Sequence, residues 1–453
     1  MQKTVIEQIL DGIKAGRRAY KEEIAKISPE GKEETDNVSP ARDEMTAKIG
    51  HASDAVIRSE LCHGDNLTYM GQLLESGYAG KFNLIYIDPP FFTRSSFNAS
   101  ITLRDAEGKK HQIHHLAYDD KFDRNLEYYI ENMTVRLLMM RELLSDEGLM
   151  WVHLDWHSSH YIKLVMDELM GEKNFINEII WCYKSGGSGK RHFARKHDSI
   201  LVYSKTSDYY LSVPQEKSYN RDYKPYRFKG VEEYRDEVGW YTMVNMKDVW
   251  NIDMVGRTSA ERTGYATQKP LELMKRIIES CTKEGDLVGD FFSGSGSLLE
   301  AAESLGRKWI GCDSEQLASA MARKRLIAAG ADFSFIEQGD EKPISGRASI
   351  KVESKEALED GRYLYKCILS DLVPDIETGS IQMSDRKHVD RVLIEDRIQF
   401  ADYIMIDTKS GGVFNCDYVF ANAKEEMSFI AGDSFSAIAT DVFGKEYLAD
   451  IDF

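Results

Sequence analysis

Two hydrogen-bond acceptors and an aromatic ring fall together at one tight point of the chain, Asp88-Pro89-Pro90-Phe91. The Asp88 carboxylate and the Pro89 carbonyl can hold both hydrogens of an exocyclic amine, and Phe91 can stack on the ring that bears it. The residues before them, Phe82-Asn83-Leu84-Ile85-Tyr86-Ile87, are a short apolar run of the kind that forms a buried strand. The two prolines then exclude both ladder pairing and an immediate helix. A carboxylate, a stiff turn and a ring therefore emerge at a strand's carboxyl edge, where open α/β sheets bind their ligands. A plain turn would show the same four residues, so the tetrapeptide gains meaning only beside a second cluster.

That cluster lies far along the chain. Thr267-Gln268-Lys269-Pro270 opens a predicted helix with proline in its first turn and Leu271, Met274, Ile277, Ile278 and Cys281 on its buried face. After it, the strand Leu287-Val288-Gly289-Asp290 runs into Phe291-Phe292-Ser293-Gly294-Ser295-Gly296. A helix over Ser297–Leu305 follows, and the strand Trp309-Ile310-Gly311-Cys312 ends in Asp313. Strand, glycine turn, helix and a strand ending in an acid is the βαβ layout of a nucleoside site. The glycines let a ligand touch backbone and the acid takes ribose hydroxyls. The pyrophosphate fingerprint G-x-G-x-x-G is missing because position 299 is Leu. That points to a nucleoside without phosphates.

The elements that must position these clusters read as β-α alternation, the signature of a parallel sheet. Met133–Leu144 has helical apolar spacing, Leu149–Leu154 is a strand, Tyr161–Met170 is a helix closed by Gly171, and Ile176–Tyr183 is a strand. His63-Gly64-Asp65-Asn66-Leu67 is a turn in which Asp65 can cap the helix that follows. Thr93–His115 is polar without a clear period and reads as a mobile loop over the site. Upstream, Val5, Ile9, Ile13 and Ile24 suggest short amphipathic helices lying on the next domain. His153, Asp155, His157 and His160 are residue types that bind metals, but no second ligand cluster accompanies them, and polar lining of a strand end is the better reading.

Length and charge bound the class. The 453 residues suffice for two or three domains. No apolar run reaches 18 residues and the start, Met1-Gln2-Lys3-Thr4-Val5-Ile6-Glu7, lacks a signal-peptide stretch, so a cytoplasmic protein is expected. The six cysteines (62, 182, 281, 312, 367 and 416) form no C-x-x-C pair, which suits reduced thiols and argues against zinc ribbons. The whole chain is acidic, with 58 Lys+Arg against 75 Asp+Glu. The balance is uneven, however: residues 184–230 hold 11 Lys/Arg against 4 Asp/Glu, and residues 337–453 hold 13 against 24. Within the basic tract, Lys190, Arg191, Arg195 and Lys196 follow a Gly/Ser-rich stretch, and Tyr219, Tyr223, Tyr226 and Phe228 interleave with base. Counter-charge to phosphates with stacking aromatics points to nucleic acid.

Taken in order, these motifs resemble the amino-methylating DNA methyltransferases of the permuted β class. The chain looks most like the adenine-specific branch that includes modification subunits of type III restriction systems. The likeness spans about residues 60–330 and rests on Gly64-Asp65-Asn66-Leu67, Asp88-Pro89-Pro90-Phe91, Gly171 through Trp181, Thr267-Gln268-Lys269-Pro270 and Asp290 through Gly296. It implies a doubly wound methyltransferase sheet with permuted motif order and S-adenosyl-L-methionine as cofactor. By match, Asp290, Phe291, Ser293, Gly294, Ser295 and Gly296 would hold the methionine part, helped by Thr267 and Lys269. Asp313 would take the ribose hydroxyls and Asp65 the cofactor's adenine amine, while Asp88, Pro89, Pro90 and Phe91 would be catalytic. The family tetrapeptide usually ends in Tyr; Phe91 keeps the stacking surface and loses a hydroxyl. The N4-cytosine branch usually begins it with Ser, which favours adenine here.

The resemblance implies double-stranded DNA as partner and no metal, and leaves a homodimer and a restriction subunit open. The expected domains are an N-terminal helical arm (1–55), a first catalytic half (56–183), a target-recognition insert (184–266), a cofactor-binding half (267–340) and an acidic, β-rich C-terminal domain (341–453). Asp407-Thr408-Lys409 with Pro374-Asp375 faintly resembles a nuclease core, but the tail lacks the basic surface a DNA-cutting domain needs.

Overall fold

The computed structural model describes residues 3–27, 57–120, 125–186, 190–256, 258–339, 343–409, 414 and 416–453. Helix α1 (Val5–Ile27) opens the chain, followed by strand β1 (Glu60–His63), helix α2 (Asn66–Glu75) and strand β2 (Phe82–Ile87). Strands β3 (Ser96–Arg104) and β4 (Lys110–Asp119) form a hairpin. Then come α3 (Leu126–Leu143), β5 (Leu144–Leu154), α4 (Ser159–Met166), β6 (Phe175–Cys182), β7 (His197–Ser204), β8 (Gln215–Tyr219), β9 (Tyr234–Arg235), β10 (Trp240–Asn245) and β11 (Val249–Asn251). The second half runs α5 (Leu271–Cys281), β12 (Leu287–Asp290), α6 (Ser297–Ser304), β13 (Lys308–Asp313), α7 (Gln316–Ala328) and β14 (Ser334–Glu337).

Nine strands form one sheet in the order β11-β6-β7-β5-β2-β12-β13-β1-β14, parallel except where β7 pairs antiparallel with β5 and β6. Alternation along β2 explains the two covered faces. Ile85 and Ile87 join the core under α1 to α4, whereas Leu84 and Tyr86 join the core under α5 to α7. This is the doubly wound sheet expected. Its order also explains the permuted motifs: β2 and β12 are distant in sequence yet adjacent in the sheet, with Val288 beside Leu84 and Gly289 beside Ile85. The turns that follow both strands therefore open at one edge.

Four elements differ from expectation. The N-terminal arm begins as one 23-residue helix, not several short ones, with Ile9, Ile13 and Ile24 buried and Val5 exposed. Gly12 and Gly16 let it lie against α3, since a Cβ at Gly16 would stand 2.5 Å from the Thr134 Cβ. The rest of that arm lies outside the described residues. Thr93–His115, expected as a mobile loop, holds β3 and most of β4. Ala99, Ile101 and Leu103 alternate inward and meet Ile113 and Ala117; the polar outer face hid this period of two. Strands β7 and β11, both within the expected insert, lie in the main sheet, and the insert also carries a separate sheet ordered β8-β10-β9.

The fourth difference is how closely the C-terminal region is joined to the rest. It holds a seven-stranded sheet built from β15 (Ile344–Ala357), β16 (Tyr363–Leu372), β17 (Ala401–Asp407), β18 (Tyr418–Phe420), β19 (Met427–Ala431), β20 (Ser436–Asp441) and β21 (Glu446–Asp452), with helix α8 (Arg386–Glu395). The β3–β4 hairpin and Tyr265 share its hydrophobic core. Arg323 and Lys324 of α7 pair with Glu446 and Asp402, and the Arg323 guanidinium donates to the Tyr403 hydroxyl at 2.7 Å.

Candidate active site

The two motif turns line one cleft at the carboxyl edge of β2, β12 and β13. Its space is about 280 Å³, and its walls include Asp88, Pro90, Thr267, Lys269, Asp290, Phe291, Ser293, Gly294, Ser295 and Asp313. Local sequence explains each placement. Pro89 and Pro90 end β2 and turn Asp88 out of the strand, with Pro89 itself buried. The Tyr129 hydroxyl of α3 donates to the Pro90 carbonyl at 3.0 Å, which fixes the turn's far side.

Asp88 is held asymmetrically. The Lys269 ammonium pairs with its Oδ2 and also donates to the Thr267 carbonyl at 3.3 Å. The two side chains are only 16% and 10% exposed. Oδ1 is buried and has no hydrogen-bond partner. An unused carboxylate acceptor of this kind is costly unless a donor reaches it. Lys269 also sits 5.9 Å from the centroid of Phe91, whose ring lies nearly parallel to His153 at 6.2 Å and 21°.

The glycine turn is built from three carboxylates and an arginine. Asp290 accepts from the Phe292 amide at 3.1 Å, and burial pushes its carboxyl well above the usual range. Asp313 accepts from the Gly294 amide at 2.7 Å and from the Glu315 amide at 2.9 Å, and burial raises it too. Behind the turn, buried Arg325 of α7 donates to the Ser295 carbonyl at 3.1 Å and the Ser297 hydroxyl at 2.8 Å, and pairs with Glu300. The Ser293 hydroxyl is buried and without a partner, and Gly294 takes φ +49° at the cleft wall. An orphan hydroxyl, an open glycine and two acids fit a polar nucleoside ligand.

Several expected residues stand elsewhere. Gly296 is not part of the lining: it caps α6 at φ +74°, and a Cβ there would meet the Ala322 Cβ at 2.9 Å, so it serves the packing of α7. The Asp65 carboxylate caps a helix, accepting from the Thr68 amide at 2.9 Å, and pairs at 3.2 Å with Arg136, which lines the cleft while Asp65 itself does not. Its neighbour Asn66 takes its place at the wall, donating to the Phe291 carbonyl at 2.7 Å and accepting from Arg136 at 2.7 Å. Phe91 borders the cleft without lining it. Asn66, Tyr118, Tyr129, Arg136, Tyr265 and Glu315 also line the wall; of these the sequence analysis named only Asn66, as a member of Gly64-Asp65-Asn66-Leu67. Tyr265, two residues before Thr267, was within reach of a motif reading; Tyr118 lies at the end of β4, in a hairpin that the sequence presents as a loop.

The basic residues lie on the loop between β6 and β7. Lys190 and Arg191 are exposed, and the Arg195 guanidinium stacks 3.7 Å from the centroid of Trp156. Lys196 was expected at phosphates, but its ammonium donates to the Ser185 carbonyl, the Ser185 hydroxyl and the Gly186 carbonyl at 2.6, 2.7 and 3.0 Å. All three donors are used in closing the loop. His153, near the end of β5, is buried and meets the Tyr86 hydroxyl at 2.8 Å and Asp198 at 3.1 Å, and His157, beyond the strand, meets Asp155 at 2.6 Å. Among the described residues no group of three or more His, Cys, Asp or Glu is placed to hold a metal, and no helix is long and apolar enough to cross a membrane.

Residues 82–324 match the family model for DNA methylases. The type II methyltransferase M.EcaI from Enterobacter cloacae is 30% identical over 335 residues, covering 60% of this chain and 70% of that protein. The Mod subunit of the type III restriction-modification enzyme EcoP15I from Escherichia coli is 28% identical over 164 residues, covering 34% of this chain and 25% of its own. Among solved structures, the complex of M1.HpyAVI with SAM aligns over 59% of this chain and 98% of that one, at 20% identity and a TM-score of 0.38.

Proposed function

The chain belongs to the DNA methylase family, and from that premise we propose that it moves a methyl group from S-adenosylmethionine to the N6 amine of an adenine flipped out of duplex DNA. The observation that supports this best is the Asp88 carboxylate, with Oδ2 paired to Lys269 and Oδ1 buried without a donor. An exocyclic N–H supplies that donor.

The cofactor contributes a methyl group on a sulfonium, which an amine lone pair can attack in line. The chain's part is positioning and charge. The N6 lone pair is delocalised into its ring, and hydrogen bonds from N6 to Asp88 Oδ1 and the Pro89 carbonyl stabilise the positive charge that develops on nitrogen. Phe91 offers a face for the flipped base, returning roughly 1–3 kcal/mol as stacking against the few kcal/mol that unstacking costs. Thr267 and Lys269 would meet a methionine carboxylate, and the Ser293 hydroxyl and Gly294 line the same cleft. Asp313 and Glu315 face the cleft from the end of β13 and would take ribose hydroxyls. Asn66 and Arg136, in place of Asp65, border the end nearest α2 and α3.

Duplex DNA approaches the carboxyl edge, where Lys190, Arg191 and Arg195 supply phosphate contacts. A restriction subunit sharing the recognised sequence is the protein partner this reading implies, by analogy with the Mod subunit above. Methylation-sensitive long-read sequencing of DNA from cells expressing the protein tests the proposal. A modified adenine at one short sequence is expected; modified cytosine at that sequence would make the enzyme an N4 methylase, and unmodified DNA would refute the activity.

A further inference from the structure

The β6–β7 loop carries a phenylalanine that the fold does not use. Phe193 is 98% exposed, although Arg195 and Lys196, just after it, are tied down. Lys196 closes the loop's base onto Ser185 and Gly186, the Tyr183 amide donates to the Lys196 carbonyl at 3.0 Å, and Arg195 is stacked on Trp156. The loop thus has an anchored stem, and Phe193, three residues before Lys196, presents an exposed apolar ring. A single exposed aromatic is ordinary on a protein surface, so its setting decides the matter.

Two features of that setting point to one occupant. From Lys184 to His197 the sequence has five Lys/Arg and no Asp or Glu; Lys196 closes the loop and Lys184 pairs with Asp253, which leaves Lys190, Arg191 and Arg195 near the ring as cations suited to phosphates. The sheet also places it at the catalytic edge. Strand β7 runs antiparallel to both β5 and β6, and β5 runs parallel to β2, so the end of β6 and the end of β2 open on the same side. Only β5 separates β7 from β2, which sets the loop's stem about 10 Å across the sheet from Asp88.

We propose that Phe193 is a wedge that enters the duplex beside the target and fills the space the flipped adenine leaves. Apolar side chains inserted between base steps are a general means of unstacking DNA, and an aromatic ring restores part of the stacking that flipping removes. This rests on the DNA methylase reading of the cleft. It assigns the loop a task separate from phosphate binding: the cations hold the backbone and the ring holds the helix open.

The test compares single-turnover methylation by the wild type, Phe193→Ala and Phe193→Leu on the recognised duplex. In one substrate the target adenine faces thymine; in the other it faces an abasic site and is already unpaired. Phe193→Ala should slow transfer about ten- to a hundredfold on the paired target, and by less than about threefold on the unpaired one, because only the first requires unstacking. Phe193→Leu, which keeps an apolar wedge, should recover most of the paired rate. An equal loss on both substrates would mean that the loop acts on chemistry or folding, and no loss on the paired target would leave the ring to a protein partner; either overturns the wedge. A wild type that methylates neither substrate overturns the wedge together with the methylase reading.

Discussion

The pair formed by Asp88 and Lys269 can be weighed by a double-mutant cycle. Both side chains are more than four-fifths buried, and Lys269 has the Thr267 carbonyl as its further partner. Removing one member of a buried ion pair leaves the other charge uncompensated and typically costs about 3–5 kcal/mol. The cleft admits water on one side, so roughly 2–3 kcal/mol, just below that range, is the expected loss for either Asp88→Asn or Lys269→Met. Replacing both at once removes both charges and leaves groups of similar volume, so the double variant should lie within about 1 kcal/mol of the wild type. The resulting coupling is at least about 3 kcal/mol, well outside the few tenths seen for independent sites. Urea unfolding of the four proteins without cofactor reads these values. Additivity to within about 0.5 kcal/mol would refute the pair as an element that holds the catalytic carboxylate.

Three further outcomes follow from the geometry. Gly16→Ala should lower the melting temperature, since overpacking against Thr134 costs about 1–3 kcal/mol and exceeds the helix-propensity gain of about 1 kcal/mol; Gly71→Ala in α2, where the nearest atom is Ile27 Cδ1 at 3.7 Å, should raise it. In the C-terminal sheet, burial pushes the Asp441 carboxyl up to about 6 from 3.8. The folded state then binds that proton more tightly than the unfolded one, so this site loses stability as pH rises from about 4 to 6, by roughly 3 kcal/mol at most. Asp441→Asn should therefore gain on the wild type across that window in pH-dependent unfolding, and parallel curves would contradict it. Neutralising Lys190, Arg191 and Arg195 should make the salt dependence of DNA binding shallower by roughly 0.9 for each phosphate they cease to neutralise, equally on cognate and scrambled duplexes, whereas neutralising Lys196 should act through the loop's closure.

What was legible in the sequence was local. The run Phe82–Ile87 ending in two prolines, and Leu287–Asp290 ending in a glycine turn, specify a strand and its exit within a few residues. Once both turns open at one sheet edge, their polar groups share a cleft. Long-range partners were not legible. Nothing near Asp65 announces that Arg136 will take its carboxylate, and nothing near Asp88 announces Lys269, 181 positions away. The β3–β4 hairpin was missed because its apolar positions are few and face a sheet formed at the other end of the chain. Gly296 looked like a ligand contact because a glycine that admits a ligand and one that admits a helix look alike in sequence; the Ala322 Cβ distinguishes them.

The central claim is that Asp88 presents an acceptor to the target amine. Purified wild type and Asp88→Ala, each incubated with S-adenosylmethionine and duplex DNA, should be compared by mass spectrometry of the digested nucleosides, with cofactor affinity measured by calorimetry. The account predicts N6-methyladenine from the wild type and none from the variant, with cofactor binding within about threefold, a difference under about 1 kcal/mol. N6-methyladenine formed by the variant at a rate near the wild type's would contradict it.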